Sequence, residues 1–491
     1  MSGPAVLAVD IGSSSVRASL YTSQLRSIRS HQLGYRWRDY QDGRIELEPR
    51  QLERVVMRAI DQVLEGRRPS SVDAVAVAAF WHSLLGADAA GQPTTPLMPW
   101  SDLRAEAVSE RMRRNLDEKR IHARTGCRLH ASYWPARLQW FRSHEPRIFE
   151  RTTRWMGFGE WLQRRWLGAS GVSSSQASAT GLMHQPTNDW DAEILRVCGI
   201  EPDRLSPIVD MSGSTGPLAA SLIRRWPALR KAQWLPVLGD GAVNNVGAGC
   251  TSLERAAIMI GTSGAVRVLW EPPPGQRIRI PFGLWRYGLD ARRVVVGGAL
   301  SNGGNVRDWI LRTFRTSSYV EAAALGMEPD SHGLTVLPFL GGTRSPDYLP
   351  HARGAVAGLS FSTTPAHVLR AMLEGIGYRF ALVIGELERV ANFSEVVASG
   401  GGLERSTGWT QILADILGRP ITLSGERELT SRGAAALALE RLGVLNVSRL
   451  QPPRAAVLHP DTRRHLVYRR AIRRQSQFLR AAIDPSGRRP P

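Results

Sequence analysis

Three short segments of this 491-residue chain combine residue types that can hold a polyphosphate and a metal ion. They are Asp10-Ile11-Gly12-Ser13-Ser14-Ser15, Gly261-Thr262-Ser263-Gly264, and Ser399-Gly400-Gly401-Gly402 followed by Ser406, Trp409, Gln411 and Asp415. Gly/Ser/Thr turns expose backbone N–H groups, and without bulky side chains phosphate oxygens can come close. A strand running into a glycine triplet and then a helix lets backbone lie against a flat ring or a phosphate. Phosphoryl transfer to a hydroxyl needs such donors, a carboxylate for Mg²⁺ and a base beside the attacking oxygen. Gly12, Ser13, Ser14, Gly261, Thr262, Ser263, Gly401, Gly402 and Ser406 are therefore candidate nucleotide contacts, and Asp10 is the candidate metal residue, acting through water. Taken singly, each segment is what an ordinary hairpin or strand-to-helix turn requires. Their order along the chain carries the reading.

The elements that must position these segments are legible. Residues 5–9 predict a strand, and residues 16–21, apolar at alternate positions, predict a second directly after the turn. This is a hairpin, whereas Rossmann and P-loop sites need a helix N-terminus immediately after the Gly-rich loop. A helix over 50–65 and a buried strand over 74–79 begin an α/β pattern. The device repeats half a chain later, with strands over 256–260 and 265–270 flanking Gly261–Gly264. The repeat predicts two domains of similar construction, each presenting its turn to a shared cleft. The boundary is expected near residues 245–253, which divides the chain into 1–248, 249–450 and an Arg/Pro-rich extension over 451–491 with a terminal helix and a frayed tail.

Composition narrows the class. The length suits two or three domains at roughly 150 residues each. A 43% apolar and 22% charged chain with 47 Gly and 30 Pro is neither fibrous nor disordered. No run of 18 apolar residues occurs, since Asp73, His82 and Ser83 interrupt the nearest, so no membrane span is expected. The first residues lack a secretory pattern. Cys127, Cys198 and Cys250 are too few and too scattered for a disulfide framework or a zinc site, which fits the cytoplasm. The net charge of +19 invites a polyanion partner, but only Lys119 and Lys231 of the 63 basic residues are lysine, which reads as codon bias. No nucleic-acid motif accompanies the charge. The charge favours small acidic ligands.

In this order the segments resemble the FGGY family of carbohydrate kinases over about residues 5–445. The resemblance extends to Gly354-Ala355-Val356-Ala357-Gly358-Leu359 and to the run from His367 through Leu373-Glu374-Gly375. It implies an α/β fold of two actin-like (ribonuclease H-like) domains with a catalytic cleft between them, and ATP with Mg²⁺ as cofactors. It also implies that Asp240, in Gly239-Asp240-Gly241, is the catalytic base and contacts the substrate. Such a carboxylate at a strand end can take the proton of a sugar hydroxyl as the phosphoryl group arrives. The segments containing His82, Ser83, Trp100, Asp102 and Arg104 resemble sugar-contacting ones, and Gly304 resembles a further nucleotide position. Within the family these details are most similar to gluconate kinases. Departures are Trp134, Arg137, Trp81 and Ser173, which stand where a small residue or Pro, a Lys, a Met and an Asp are usual.

The expected reaction is ATP-dependent phosphorylation of the terminal hydroxyl of an open-chain sugar or sugar acid, with D-gluconate favoured and a ketose or polyol as the alternative. Arg104, Arg137 and Arg267 are the arginines considered for a substrate carboxylate. A catalytically inactive sugar and nucleotide sensor is a reading from another class, and it requires loss of residues that are intact here. The expected partners are a sugar and MgATP, with no specific nucleic acid and no membrane; a homodimer is left open.

Overall fold

The computed structural model describes residues 3–483 except 69, 169–170, 212, 214 and 315–317. The frayed tail expected beyond residue 483 lies outside the described residues. The chain forms two units drawn from non-contiguous segments. Residues 1–251, 269–295 and 428–451 make the first, and 252–268, 296–427 and 452–491 the second.

The first unit is built on β1 (Val6–Ile11), β2 (Ser15–Tyr21), β3 (Ser27–Gly34), β4 (Ala74–Ala79) and β5 (Leu238–Gly239). β1 pairs antiparallel with β2 and parallel with β4, and β5 also lies parallel on β4, giving the order β3-β2-β1-β4-β5. Side chains of a strand alternate between faces. Leu7, Val9, Ile11, Val75 and Val77 accordingly join one core, with helix α1 (Pro49–Leu64). Val6, Ala8, Ala74, Ala76 and Ala78 join another, with helix α2 (Asp240–Gly247) and the helix Leu429–Arg441. The small alanines on that face let the two helices sit close. Their crossing depends on glycine, since a Cβ at Gly433 would strike the Val243 carbonyl and one at Gly247 the Leu429 carbonyl. α1 starts where Glu48 accepts the Arg50 and Gln51 amides and Pro49 takes the first position.

The second unit repeats the order. β6 (Arg255–Ile260) pairs antiparallel with β7 (Gly264–Trp270) and parallel with β9 (Glu395–Ser399), and β8 (Val294–Leu300) lies beyond β7. β10 (Ile421–Ser424) follows β9 in parallel, giving β8-β7-β6-β9-β10. Both hairpins and the duplicated α/β construction are thus as the sequence predicts. β11 (Arg454–Leu458) adds antiparallel to β10, so the described residues 452–483 group with this unit. Helices α3 (Gly304–Thr313), α4 (Pro365–Leu387), α5 (Gly401–Glu404), α6 (Thr407–Leu417) and α7 (Thr462–Ile483) complete what is needed below. Among the described residues no helix is long and apolar enough to cross a membrane.

α4 and α7 are joined by a buried polar knot. Glu374, fully buried on α4, accepts hydrogen bonds from Arg370 Nε, His332 Nε2, Tyr378 Oη (2.8 Å) and Tyr468 Oη (3.1 Å), the last on α7. His332 Nδ1 accepts the Leu334 amide, so its proton is on Nε2. Asp330, His332 and Glu374 place ligand-type atoms within 4.8 Å of one another. Yet Asp330 is gripped by Arg474 and the Glu374 oxygens already accept five donors, the Asp330 amide among them, so the trio is a structural knot. Burial pushes the Glu374 carboxyl up, but the His332 hydrogen bond and the Arg370 guanidinium outweigh it and hold it below the usual glutamate range. Removing one member of a buried ion pair leaves an uncompensated charge. Glu374→Ala is therefore expected to cost about 3–5 kcal/mol in denaturant unfolding. The wild-type contribution, from a depressed carboxyl, is present above the unfolded pKa and fades as pH falls through the folded one. The deficit of the variant should then shrink in acid.

Candidate active site

In the first unit three parallel strands end at one edge. Asp10 lies opposite Ala78 near the end of β1, and β5 sets Gly239 opposite Ala79. β1 ends in Asp10-Ile11, while Phe80-Trp81-His82 and Asp240 follow directly on β4 and β5, so the topology brings Asp10, His82 and Asp240 to one edge. The carboxyl edge of a parallel sheet is the usual place for ligands in α/β folds. Burial and the neighbouring Asp240 carboxylate push the Asp10 carboxyl up to about 7, against the pull of the Arg17 guanidinium. Asp240 opens α2 and accepts its own next amide, Gly241 N, at Oδ1 (2.7 Å).

The strand ends are clamped by a segment of which only Ser173 stands out in the sequence, as a departure from the family pattern. Gln176 Nε2 donates to both the Ala79 (3.0 Å) and Leu238 (2.9 Å) carbonyls, and Ser175 Oγ accepts the Gly239 amide (2.9 Å). Ser173 caps this turn, accepting the Gln176 amide (3.1 Å) and donating to the Val237 carbonyl. A serine thus does the capping work that an aspartate can do there. Trp81 Nε1 donates to the Ser175 carbonyl (3.0 Å), and its indole occupies the space a side chain at Gly239 would need.

His82 has a left-handed backbone (φ 66°), and its Nδ1 donates to the Ala179 carbonyl (2.6 Å), which leaves Nε2 as the acceptor of the neutral ring. Around it stand Tyr133 (5.0 Å between ring centroids) and Tyr287 (5.5 Å), with Trp81 and Trp285 against Tyr287 at 4.9 and 4.1 Å. Trp100 is half-buried. Other sugar candidates are turned inward. Ser83 is buried and accepts the Phe158 amide (3.1 Å). Asp102 is fully buried, paired with Arg104 through Nε (2.9 Å) and Nη2 (2.7 Å), and accepts the Ile45 amide (2.8 Å). Arg104 also meets Glu46 (2.7 Å). Arg137 is fully buried among carbonyls.

At the first turn, Ser13 and Ser14 are exposed, while the Gly12 amide is taken by the Ser15 carbonyl (2.9 Å). In the second unit the register of β6 with β9, Met259 opposite Ser399, brings the second turn and the glycine triplet to one edge. They line a cleft of about 220 Å³ with Gly261, Thr262, Gly304, Gly401, Gly402 and Ser406 in its wall. Glycine is required here. Gly400 has φ 93°, and a Cβ at Gly400 or Gly402 would press on the Ile260 carbonyl (2.6 and 2.8 Å). The first turn of α3 docks on the hairpin, with the Gly304 amide on the Gly261 carbonyl (2.9 Å) and the Asn305 amide on that of Thr262 (3.1 Å). Ser263, beside Thr262 in the turn, is half-buried and outside the cleft lining, and its carbonyl accepts the Gly261 amide (3.0 Å). Ser406 is the N-cap of α6, accepting the Trp409 amide (3.2 Å). Asp415 accepts from Gln411 Nε2 and the Asp461 amide (both 2.8 Å) and is structural. Arg267 is buried within β7.

Arg307, Asp308 and Arg405 also line the cleft and were missed by the sequence reading. Helical spacing from Gly304 gives a signal for the first two, since three and four residues on is the same face.

Residues 5–247 match the model for the N-terminal domain of the FGGY family of carbohydrate kinases, and residues 256–440 match that for its C-terminal domain. The chain is 26% identical over 456 residues to a gluconokinase of Bacillus subtilis, covering 90% of this chain and 88% of that one. It is 28% identical to a glycerol kinase of Alkalilimnicola ehrlichii (97% and 99% covered) and 25% identical to a xylulose kinase of B. subtilis (88% and 87%). The fold superposes on a gluconate kinase of Lactobacillus acidophilus with a TM-score of 0.91 at 22% identity, each chain 98% covered. Two matched domains, a duplicated sheet order and carbohydrate-kinase relatives over nearly the whole chain place it in the FGGY family, as a carbohydrate kinase.

Proposed function

We propose that the chain transfers the γ-phosphoryl group of ATP to the terminal hydroxyl of an open-chain sugar acid, D-gluconate, giving 6-phosphogluconate, with Asp240 as the general base. The observation that carries this reading is the meeting of Asp10, His82 and Asp240 at one sheet edge. Asp240, at the helix start, takes the proton of the attacking hydroxyl, while His82 Nε2 accepts a neighbouring sugar hydroxyl. In the second unit, Thr262 and the glycines of the cleft cradle the nucleotide phosphates, and Gly401 to Ser406 face the adenosine. Two neighbouring carboxylates, one of them buried with a raised proton affinity, are a fitting donor set for a divalent cation. Mg²⁺ bound at Asp10 through water would neutralise phosphate charge. The gluconate assignment is supported by the gluconokinase relatives and the shared motifs.

A second reading, a neutral ketose or polyol, is favoured by one observation. Arg104 and Arg137 are spent on internal acceptors, and the wall beside His82 is aromatic. Comparing kcat/KM for gluconate, xylulose, glycerol and sorbitol at one salt concentration decides between the two. Gluconate is expected to lead; equal or better use of a neutral substrate overturns that assignment and leaves the kinase reading intact.

Asp240→Asn is expected to keep nucleotide binding and to lower kcat by roughly 10²–10⁴-fold, the usual weight of a general base. Normal turnover in that variant would remove Asp240 from the chemistry.

Asp10 carries a second test, read on the ligand-free protein. Its carboxyl is raised by folding, so its contribution is fully present below the unfolded pKa near 3.9 and is lost as pH rises to about 7. Asp10→Asn should therefore stabilise the protein increasingly between about pH 4 and pH 7 and level off above, by at most about 4 kcal/mol. Thermal melts of both proteins across that range check it; equal melting at pH 8 contradicts it.

A further inference from the structure

Arg137 and Trp134, the two departures from the usual pattern on the helix Trp134–His144, are turned toward the sugar segments from behind. Trp134 Nε1 donates to the Ser83 carbonyl (3.1 Å). Arg137, fully buried, donates through Nε to the Ala131 carbonyl (2.9 Å), through Nη1 to the His82 carbonyl (2.8 Å) and through Nη2 to the Pro99 carbonyl (2.5 Å), with the Asp102 carbonyl 3.5 Å from Nη2. One guanidinium therefore gathers carbonyls from three separate stretches of chain. The Asp102 carboxylate, whose charge acts on it, is in a two-toothed pair with Arg104. Burying a cation among carbonyls alone is costly, so the arrangement is informative about what it holds. What it holds is strained: His82 has φ 66°, a region disfavoured for a residue with a Cβ and kept only where its surroundings over-determine it.

We infer that Arg137 is a positioning residue of the sugar site, holding the His82 loop, with Trp134, in its left-handed conformation and fixing it against the Pro99–Asp102 segment. The inference rests on the proposed function in taking these two stretches as substrate-facing. In this reading Arg137 does not touch substrate, since each of its three nitrogens is spent on a backbone carbonyl. A lysine offers one compact ammonium and cannot reach three diverging acceptors at once. A shift of the loop moves the His82 ring relative to Asp240, and small misplacements of reacting groups carry large kinetic penalties.

The test is amide hydrogen exchange on the full-length protein with Arg137→Lys, Arg137→Met and Trp134→Phe, alongside steady-state kinetics. Arg137→Lys is expected to speed exchange roughly ten-fold or more in peptides covering both 81–84 and 100–104, with the second unit unchanged. Trp134→Phe is expected to loosen 81–84 alone. The sugar KM of Arg137→Lys should rise roughly ten-fold or more, with the ATP KM held within about two-fold. Unchanged exchange in the two peptides, or a uniform loss of protection throughout the first unit, overturns the inference. So does a wild-type sugar KM in folded Arg137→Lys. Because exchange needs no turnover, a protein that phosphorylates none of the sugars sinks the functional reading while the exchange result still judges the positioning.

Discussion

Two carboxylates at one edge of a parallel sheet repel each other, and much of the first unit follows from having to keep them there. Asp10 and Asp240 arrive by topology, each at the end of a strand paired with β4. Burial, with the repulsion added to it, raises the proton affinity of Asp10. A loop could relax such strain by moving apart; strand ends cannot, because the ladder and the core fix them. Gln176 closes the remaining freedom by bridging the carbonyls that end β4 and β5. The alanine face of the sheet and the glycine crossing of α2 with Leu429–Arg441 then hold the start of α2 tightly, and Asp240 with it.

The second unit uses the same strand order for the opposite purpose. Where the first unit crowds charge, the second removes side chains. Gly303, Gly400 and Gly402 stand where any Cβ would meet backbone of the neighbouring turn. The result is a cleft walled by four glycines, Thr262, Ser406 and the charged side chains of Arg307, Asp308 and Arg405, a polar lining that suits an anion of several oxygens better than an apolar ligand. The α3 amides at Gly304 and Asn305 are already spent on the hairpin carbonyls, so α3 contributes shape and the Arg307 and Asp308 side chains more than it does amide donors.

How much of this was legible follows from which features are local. Both hairpins and the strand over 74–79 are written in consecutive apolar residues, and Asp10 stands out at the end of such a run, whereas Asp240 was legible only through the family resemblance, since an isolated Asp-Gly reads as an ordinary turn. The helix over 50–65 is visible in its spacing and in Glu48 and Pro49. The roles of Ser83, Asp102 and Arg104 are not local. Each is a polar residue whose partner lies far along the chain, Phe158 for Ser83 and Ile45 and Glu46 for the pair, and no spacing announces that. The same holds for the described part of residues 451–491, read as an extension because they are rich in Arg and Pro. Tyr468 and Gln475 of α7 are buried, the first on Glu374 and the second on the Val336 carbonyl.

The charge that composition offered as a sign of an anionic partner is in part internal. Arg104 serves Asp102 and Glu46, Arg293 serves Asp290 and Glu440, and Arg370 serves Glu374 and Tyr468. Arg137 serves carbonyls alone. A lysine is a compact point charge and would satisfy one acceptor in most of these places; the planar fork satisfies two or three. In a chain with two lysines, arginine thus takes over framework positions and leaves the surface excess as a poor guide to function. The consequence reaches the sugar site. Under the proposed function, Arg104 and Arg137 are already committed to internal acceptors, so a sugar carboxylate would draw on hydroxyl, indole and backbone N–H donors, whose preference for charge is weaker than that of a guanidinium.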